Sequence, residues 1–347
     1  MNTIYTIIIR FLIYFFLAVF LTGFIMPYII KKAIRWKILD TPNGRKVHKY
    51  SKPRVGGLGM FGIYILLLLT LDLSSTNIKA LIVGSVLITF FGFLDDLINI
   101  RALAKLFFQI LVAYITVSSL AGFGIHIDSI TILANHTIQL PYFVSIGITM
   151  FWIVGMMNAI NLIDGLDGLA GGICAIASFT MFIASFVYGN TEAALCFLIL
   201  LGVILGFLRY NFNPAKLFMG DAGSLFLGYN IAVLSVIGVW NYPKILSFTI
   251  PILVLGIPIY DVITSILRRW KQKKPIFHPD GNHIHHRIMA LGFTHKQTVI
   301  VLYLECLFLS LASMSTLLIH SNVAIVVFIA IAMLIHFSSV LIKKQFK

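Results

Sequence analysis

An all-α integral membrane protein is the fold class this sequence predicts, on three observations. Apolar residues make up 59% of the 347 and charged residues only 11%, with a mean hydropathy of +0.98; a soluble domain carries about a quarter charged residues. The apolar runs are continuous rather than alternating, and of the two structures that cross a bilayer, helix and closed barrel, continuous runs select the helix. Read as spans, these runs leave every one of the 26 Lys and Arg on one side except Arg10, Lys79 and Lys244.

A span needs about 20 apolar residues to cross about 30 Å of hydrocarbon. Eleven runs qualify, at 4–30, 55–73, 79–94, 103–121, 142–159, 168–188, 193–210, 222–240, 246–267, 298–319 and 323–342, in one polytopic domain over 1–347. The first reads as a retained helix, because its flank has no basic residue before Arg10 and its run outlasts a signal-peptide core. The basic bias sets the amino terminus outside and the carboxyl terminus in the cytoplasm of a multi-pass plasma-membrane protein. The net charge of +14 is therefore mostly topology, and with no nucleic-acid motif beside it a nucleic-acid partner is not implied. Cys174, Cys196 and Cys306 all fall inside spans without a C-x-x-C pairing, which reads as packing.

In chain order, the first cytoplasmic loop, residues 31–54, carries nine basic residues and the turn formers Pro42, Asn43, Gly44 and Pro53. Most of these residues read as a positive-inside anchor. Arg54 is the exception, since Gly56, Gly57 and Gly59 follow it and permit close backbone approach. Span three ends on Asp95 and Asp96, two adjacent carboxylates at the membrane edge, where mutual repulsion and partial desolvation make an idle pair costly. Neighbours on a helix point about 100° apart, so the two are expected to serve different ends. Lys105 follows at the start of span four, either snorkelling or reaching back to a phosphate. Residues 122–139 alternate polar with β-branched residues and read as a small external hairpin between spans four and five, without chemistry.

The stretch from Asn158 to Gly172 sets Asn158, Asn161, Asp164 and Asp167 three residues apart. Each step of three drifts about 60° around a helix, so either the helix breaks near Gly165 or the four wrap a pocket. Asp221 stands between Gly220 and Gly223 at the start of span eight, as a helix cap or a ligand. Loop 268–297 holds five of the ten histidines; His283, His285, His286 and Arg287 lack a zinc spacing and read as a donor cradle for phosphate or sugar. Asp261 and Glu305 are lone intramembrane acids, held as weaker candidates. Asp95, Asp96, Asp164, Asp167 and Asp221 share one membrane face. Carboxylate and amide oxygens suit Mg²⁺, with Mn²⁺ as the alternative, and bases around them suit phosphoryl transfer at a membrane surface.

Four motifs then carry a family resemblance: FGFLDD at 91–96, NAINLIDGLDGLAGG at 158–172, NPAKLFMGDAGSL at 213–225 and PDGNHIHHR at 279–287. Together they span nearly the whole chain, which resembles the polyprenyl-phosphate N-acetylhexosamine-1-phosphate transferases, the group that includes the phospho-muramoyl-pentapeptide translocase. The H-x-H-H form and the loop around Arg54 look like the branch that loads N-acetylglucosamine 1-phosphate onto undecaprenyl phosphate to begin teichoic acid or surface polysaccharide synthesis. The resemblance implies Asp221 as the main Mg²⁺ ligand with Asn161 second, and Asp95, with Asp96 beside it, at the lipid phosphate. It implies Phe218 stacked on uracil, with Gly165, Leu166, Asp167 and Asn211 lining that pocket. Lys105 and Arg287 would hold phosphates, and His283, His285 and His286 would order the sugar-diphosphate loop. Arg54, Asn158 and Asp164 are counted as substrate-binding, with the role of Asp164 open. The implied partners are a UDP-N-acetylhexosamine and undecaprenyl phosphate at the cytoplasmic face; the identity of the sugar and a homodimeric state stay open.

Three rivals fit less well. DGLDGLA resembles the signature of CDP-alcohol phosphatidyltransferases, but that signature places Arg after the Ala, and here Gly171 and Gly172 follow Ala170. A transporter places its ionisable residues near the midplane in repeated, broken helices, whereas these collect at one edge without a repeat. A non-catalytic relative is disfavoured by the filled acidic positions.

Overall fold

The computed structural model describes residues 2–40, 51–133, 136–241, 248–274 and 283–318. The architecture is helical: α1 Asn2–Arg35, α2 Gly56–Leu68, α3 Thr76–Ile98, α4 Ala102–Val117, α5 Tyr142–Ile163, α6 Leu169–Val187, α7 Thr191–Asn211, α8 Gly220–Ser235, α9 Thr249–Val254, α10 Gly256–Lys271, α11 Ile284–Ala290 and α12 His295–Leu318. Seven described helices, α1, α3, α5, α6, α7, α8 with its continuation to Trp240, and α12, are long and apolar enough to cross a membrane, while α2 and α4 are shorter apolar helices. Of the first ten expected runs, nine each overlap one α-helix and the ninth overlaps two; the eleventh, 323–342, lies outside the described residues, as do 41–50 of the basic loop and 275–282 of the histidine motif.

Local chemistry sets several of the ends. Ser75 caps α3, its hydroxyl accepting from the Ile78 amide, and Asn190 caps α7 through Ala193 at 3.0 Å, each satisfying an otherwise orphaned helix N–H. The ninth run, expected unbroken over 246–267, is two helices that part at Leu255. Pro258 has no N–H to return to Val254, so the i to i−4 ladder fails there. The expected hairpin between spans four and five is present as two antiparallel strands, β3 Ser129–Leu133 and β4 His136–Gln139, pairing Thr131 with Thr137. A second pair, β1 Leu39–Asp40 and β2 Lys52–Pro53, closes the basic loop.

The core forms around α8, nearly all of whose residues are buried and which packs against α3 and α5; α1 lies along α7. At the crossing of α2 and α8, Gly57 meets Gly223 so closely that a Cβ on Gly57 would overlap the partner backbone. Gly56 and Gly57 therefore serve close backbone approach, as expected, whereas Gly59 makes room for the Met26 and Ile29 side chains of α1.

Candidate active site

The opening of α2 is stitched to the loop before α8. The Phe218 amide donates to Pro53 O at 2.8 Å, Gly56 N to Phe218 O at 2.9 Å and Gly57 N to Met219 O at 2.9 Å. These three bonds lay Arg54 over the first turn of α8, where its Nη2 donates to Asp221 Oδ1 at 2.7 Å and its Nε pairs with Asp96 Oδ1 at 3.1 Å. Burial opposes the guanidinium charge, yet Asp221 and Asp96 outweigh it and hold the Arg54 pKa above its ordinary value.

Asp95 and Asp96 do have separate partners. The side chain of Asp96 is 1% exposed and accepts from the amides of Asp221 at 2.8 Å and Ala222 at 3.0 Å; it is the cap of α8, placed where a helix terminus favours negative charge. Asp95 accepts from the Ile100 amide at 2.7 Å and pairs with Lys105 Nζ at 3.0 Å. Lys105 also pairs with Asp221 and donates to Asn161 Oδ1 at 3.4 Å. Asn161 Nδ2 in turn donates to Asp221 Oδ1 at 3.2 Å and to Ser224 Oγ at 2.8 Å. Asp95, Asp96, Asn161, Asp221, Lys105 and Arg54, brought by α3, α4, α5, α8 and the α2 loop, thus form one network in which Asp221 touches both cations.

A second group surrounds the break in the Asn158–Gly172 stretch. The helix ends at Ile163, the first of the two alternatives the drift of the polar stripe left open, and α6 begins after Gly168, which at φ +81° takes a left-handed conformation that suits glycine. Gly168 is held at both ends of its residue: its N–H donates to Asn211 Oδ1 at 3.0 Å and its carbonyl accepts from Tyr303 Oη at 2.5 Å. Asn211 returns a bond from Nδ2 to Leu217 O at 2.9 Å. Asp167 accepts from the Ala215 amide at 2.9 Å and Asn213 Nδ2 at 3.1 Å, with Lys52 Nζ at 3.7 Å. Lys52 also lies over the Phe218 ring, 5.1 Å from its centroid. Leu166 is buried and Gly165 exposed on the turn. Asp164 is pushed up to about 7 by burial, with Arg54 pulling it down and Asp221 and Asp96 pushing it further up.

The histidines dock against this turn: a side chain on Gly165 would run into the His285 ring. His283 and His285 are parallel at 5.9 Å, and His286 follows at 4.2 Å from His285. Asp261 explains the array. Its carboxylate accepts hydrogen bonds from His283 Nδ1 at 2.8 Å and from the Ile284 amide at 2.8 Å, so this intramembrane acid, held weakly from sequence, anchors the start of α11. Burial, then His286 and His283, lower His285 to about 3 against the pull of Asp261, which keeps the ring neutral. Arg287 is half-buried on the same helix.

Asn158 stands apart from these groups, in a reciprocal amide pair with Gln109: 2.7 Å from Asn158 Nδ2 to Gln109 Oε1 and 3.3 Å in return. Glu305 has no hydrogen-bond or ion-pair partner among the described residues. Lys52, Gln109, Asn213, Ser224 and Tyr303 were not anticipated. Lys52 was hidden among eight other bases of its loop, and Tyr303 sits in an apolar run with no sequence signal.

Among the described residues, no three His, Cys, Asp or Glu side chains converge to cage a metal unaided. The donor set at Asp221, a carboxylate with Asn161 beside it, is that of a hard cation completing its sphere from substrate phosphates and water. Lys105 and Arg54, both on Asp221, show that this point accepts positive charge.

Residues 78–239 match the family description "Glycosyl transferase family 4". The chain is 40% identical over 298 residues, 85% of its own length and 82% of the relative's, to a probable undecaprenyl-phosphate N-acetylglucosaminyl 1-phosphate transferase of Bacillus subtilis. It is 32% identical, over 83% of its length and 78% of the relative's, to a decaprenyl-phosphate N-acetylglucosaminephosphotransferase of Mycobacterium tuberculosis. To the undecaprenyl-phosphate alpha-N-acetylglucosaminyl 1-phosphate transferase of Yersinia pestis it is 28% identical, over 84% and 81%. The family match covers Asp95, Asp96, Lys105, Asn161, Asp167 and Asp221, and the chain belongs to glycosyl transferase family 4, on the branch that holds these polyprenyl-phosphate relatives.

Proposed function

We propose that the chain transfers N-acetylglucosamine 1-phosphate from UDP-N-acetylglucosamine to undecaprenyl phosphate, releasing UMP, to begin a cell-envelope polymer. The observation that carries this reading is the Asp95, Asp96, Asn161 and Asp221 network with Lys105 and Arg54 bound into it, beside Asp167 and Phe218, which share Lys52. Its relatives are named for the same class of reaction.

An oxygen of undecaprenyl phosphate attacks the β-phosphorus in line. The bond from that phosphorus to the bridging oxygen breaks, and the oxygen leaves with UMP. The acceptor phosphate is largely ionised near pH 7, with a second pKa of about 6 as for phosphoserine, so direct attack needs no covalent enzyme intermediate. Lys105 and Arg54 neutralise diphosphate charge, Asp95 orders Lys105, and Asp96 fixes the first turn of α8 under Asp221. Mg²⁺ held by Asp221 and Asn161 would supply Lewis-acid neutralisation of the diphosphate. Phe218 stacks on the uracil ring while Asp167 and Asn211 order the turn around it. The chain crosses the plasma membrane eleven times, amino terminus outside, with this site on the cytoplasmic face.

The test is incubation of the purified protein with undecaprenyl phosphate, Mg²⁺ and a panel of labelled UDP-N-acetylhexosamines, UDP-MurNAc-pentapeptide included. Lipid-linked N-acetylglucosamine and equimolar UMP are expected; no product with any sugar overturns the reading. Asp221→Ala is expected to lower turnover at least a thousandfold while the protein still inserts, and retained Mg²⁺-dependent turnover rejects Asp221 as the ligand.

A further inference from the structure

Helix α7 ends on residues that order the loop before α8 and the turn before α6, and α1 holds that end in place. Gly202, Gly206 and Tyr210 fall four residues apart, on one face of α7. A Cβ on Gly202 would overlap Ala18 and the Phe15 carbonyl, and one on Gly206 would overlap Thr22 and the Val19 carbonyl. The two helices therefore cross in main-chain contact, as small residues allow inside a bilayer. One turn further on, Tyr210 Oη donates to the Gly23 carbonyl at 2.9 Å.

Pro27 explains why that carbonyl is open. It lies inside α1 and has no N–H to return to Gly23, four residues back. An unmet carbonyl is costly in hydrocarbon, and a neighbouring helix can supply the missing donor. Here the donor does more than satisfy α1, because of what the same residue carries on its main chain. The carbonyl of Tyr210 accepts from the amides of Lys216 at 2.8 Å and Leu217 at 3.2 Å, and the side chain of Asn211, next in the chain, binds Gly168 N and Leu217 O. The loop that presents Phe218 and the turn that carries Asp167 thus both hang on the last two residues of α7. Helix ends lack their full ladder of hydrogen bonds, and the Tyr210 hydroxyl ties this one to a helix that continues past it in both directions.

Resting on the function proposed above, we propose that Tyr210 is a positioning residue for the nucleotide sugar. Anchored on the carbonyl that Pro27 leaves open, it fixes the rotation of the last turn of α7 and so sets Asn211 and the loop that presents Phe218. Helix α1, which contributes no side chain to the charged network, then serves the site through this one bond.

The experiment measures binding of UMP and of undecaprenyl phosphate to the purified full-length chain, with the melting temperature of the same samples, for Tyr210→Phe and Pro27→Ala singly and together. Pro27→Ala gives α1 an N–H that satisfies Gly23 without Tyr210. Tyr210→Phe is expected to weaken UMP binding about fivefold, the scale of one hydrogen bond, and to leave lipid affinity alone. The double variant is expected to regain melting temperature and keep the loss of UMP affinity. UMP affinity within twofold of wild type in Tyr210→Phe overturns the inference, as does a loss shared equally by the lipid. Recovery of UMP affinity on adding Pro27→Ala also overturns it, since the bond then serves only the carbonyl. Wild-type protein that binds no UMP rejects the proposed function along with this role, whereas wild-type binding that Tyr210→Phe does not alter rejects this role alone.

Discussion

At the scale of single residues, the adjacent pair Asp95 and Asp96 shows how one helical step divides labour: one carboxylate faces Lys105, the other turns under the amides of α8. That they differ was legible from the 100° between neighbours, but which does what depended on α8, 125 residues away. Asp164 carries a pH prediction. It keeps its proton to about pH 7 in the folded chain and loses it near pH 4 when unfolded, so across that window the folded state binds the extra proton and stability falls as pH rises. In chelator-treated protein, Asp164→Asn is expected to unfold on the order of 3 °C above wild type at pH 8, the gap closing toward pH 4; a gap that does not change with pH contradicts this. At Phe218, loss of the ring is expected to raise KM for the UDP-sugar about tenfold and leave acceptor KM alone. Lys52→Ala, which removes the cation over that ring, is expected to do the same more mildly, and kinetics in which both substrates suffer equally count against the assignment.

Elements add what residues cannot. The stretch that ends α5 and begins α6 was legible only as a choice between a break and a wrapped pocket, since a stripe of polar groups three apart drifts off one face, and the packing of α6 decided it. Its clamp was not legible, because Tyr303 comes from α12 and an apolar run gives no hint of where a hydroxyl points. Tyr303→Phe removes one hydrogen bond to the Gly168 carbonyl, worth about 1 kcal/mol net. About a fivefold rise in KM for the UDP-sugar is expected with kcat nearly unchanged, whereas a fall in kcat alone indicates that the clamp serves something other than nucleotide placement. Helix α2 is joined to α8 by backbone against backbone at Gly57 and Gly223. Gly57→Val is expected to abolish a cooperative thermal transition, because a side chain there displaces main chain rather than a rotamer. The ninth run gave no sign of its break at Leu255, because hydropathy does not register the missing N–H of Pro258.

For the whole molecule, composition and charge bias were enough to read a helical membrane protein with its acids at one edge, while the partners within that edge required the packing of helices remote in sequence. Arg54 meets Asp221 across 167 positions, and His285 reaches Gly165 from beyond α10. The stitch between residues 53–57 and 218–219 has a bearing on synthesis. When the ribosome delivers α2, the amides of Gly56 and Gly57 lack Phe218 and Met219 until some 160 further residues have been made, whereas Arg54 gains Asp96 with α3 and Asp221 only with α8. The site of the mature protein therefore closes late in synthesis: a chain halted before α8 leaves the Gly56 and Gly57 amides without Phe218 and Met219, and they are satisfied when α8 docks.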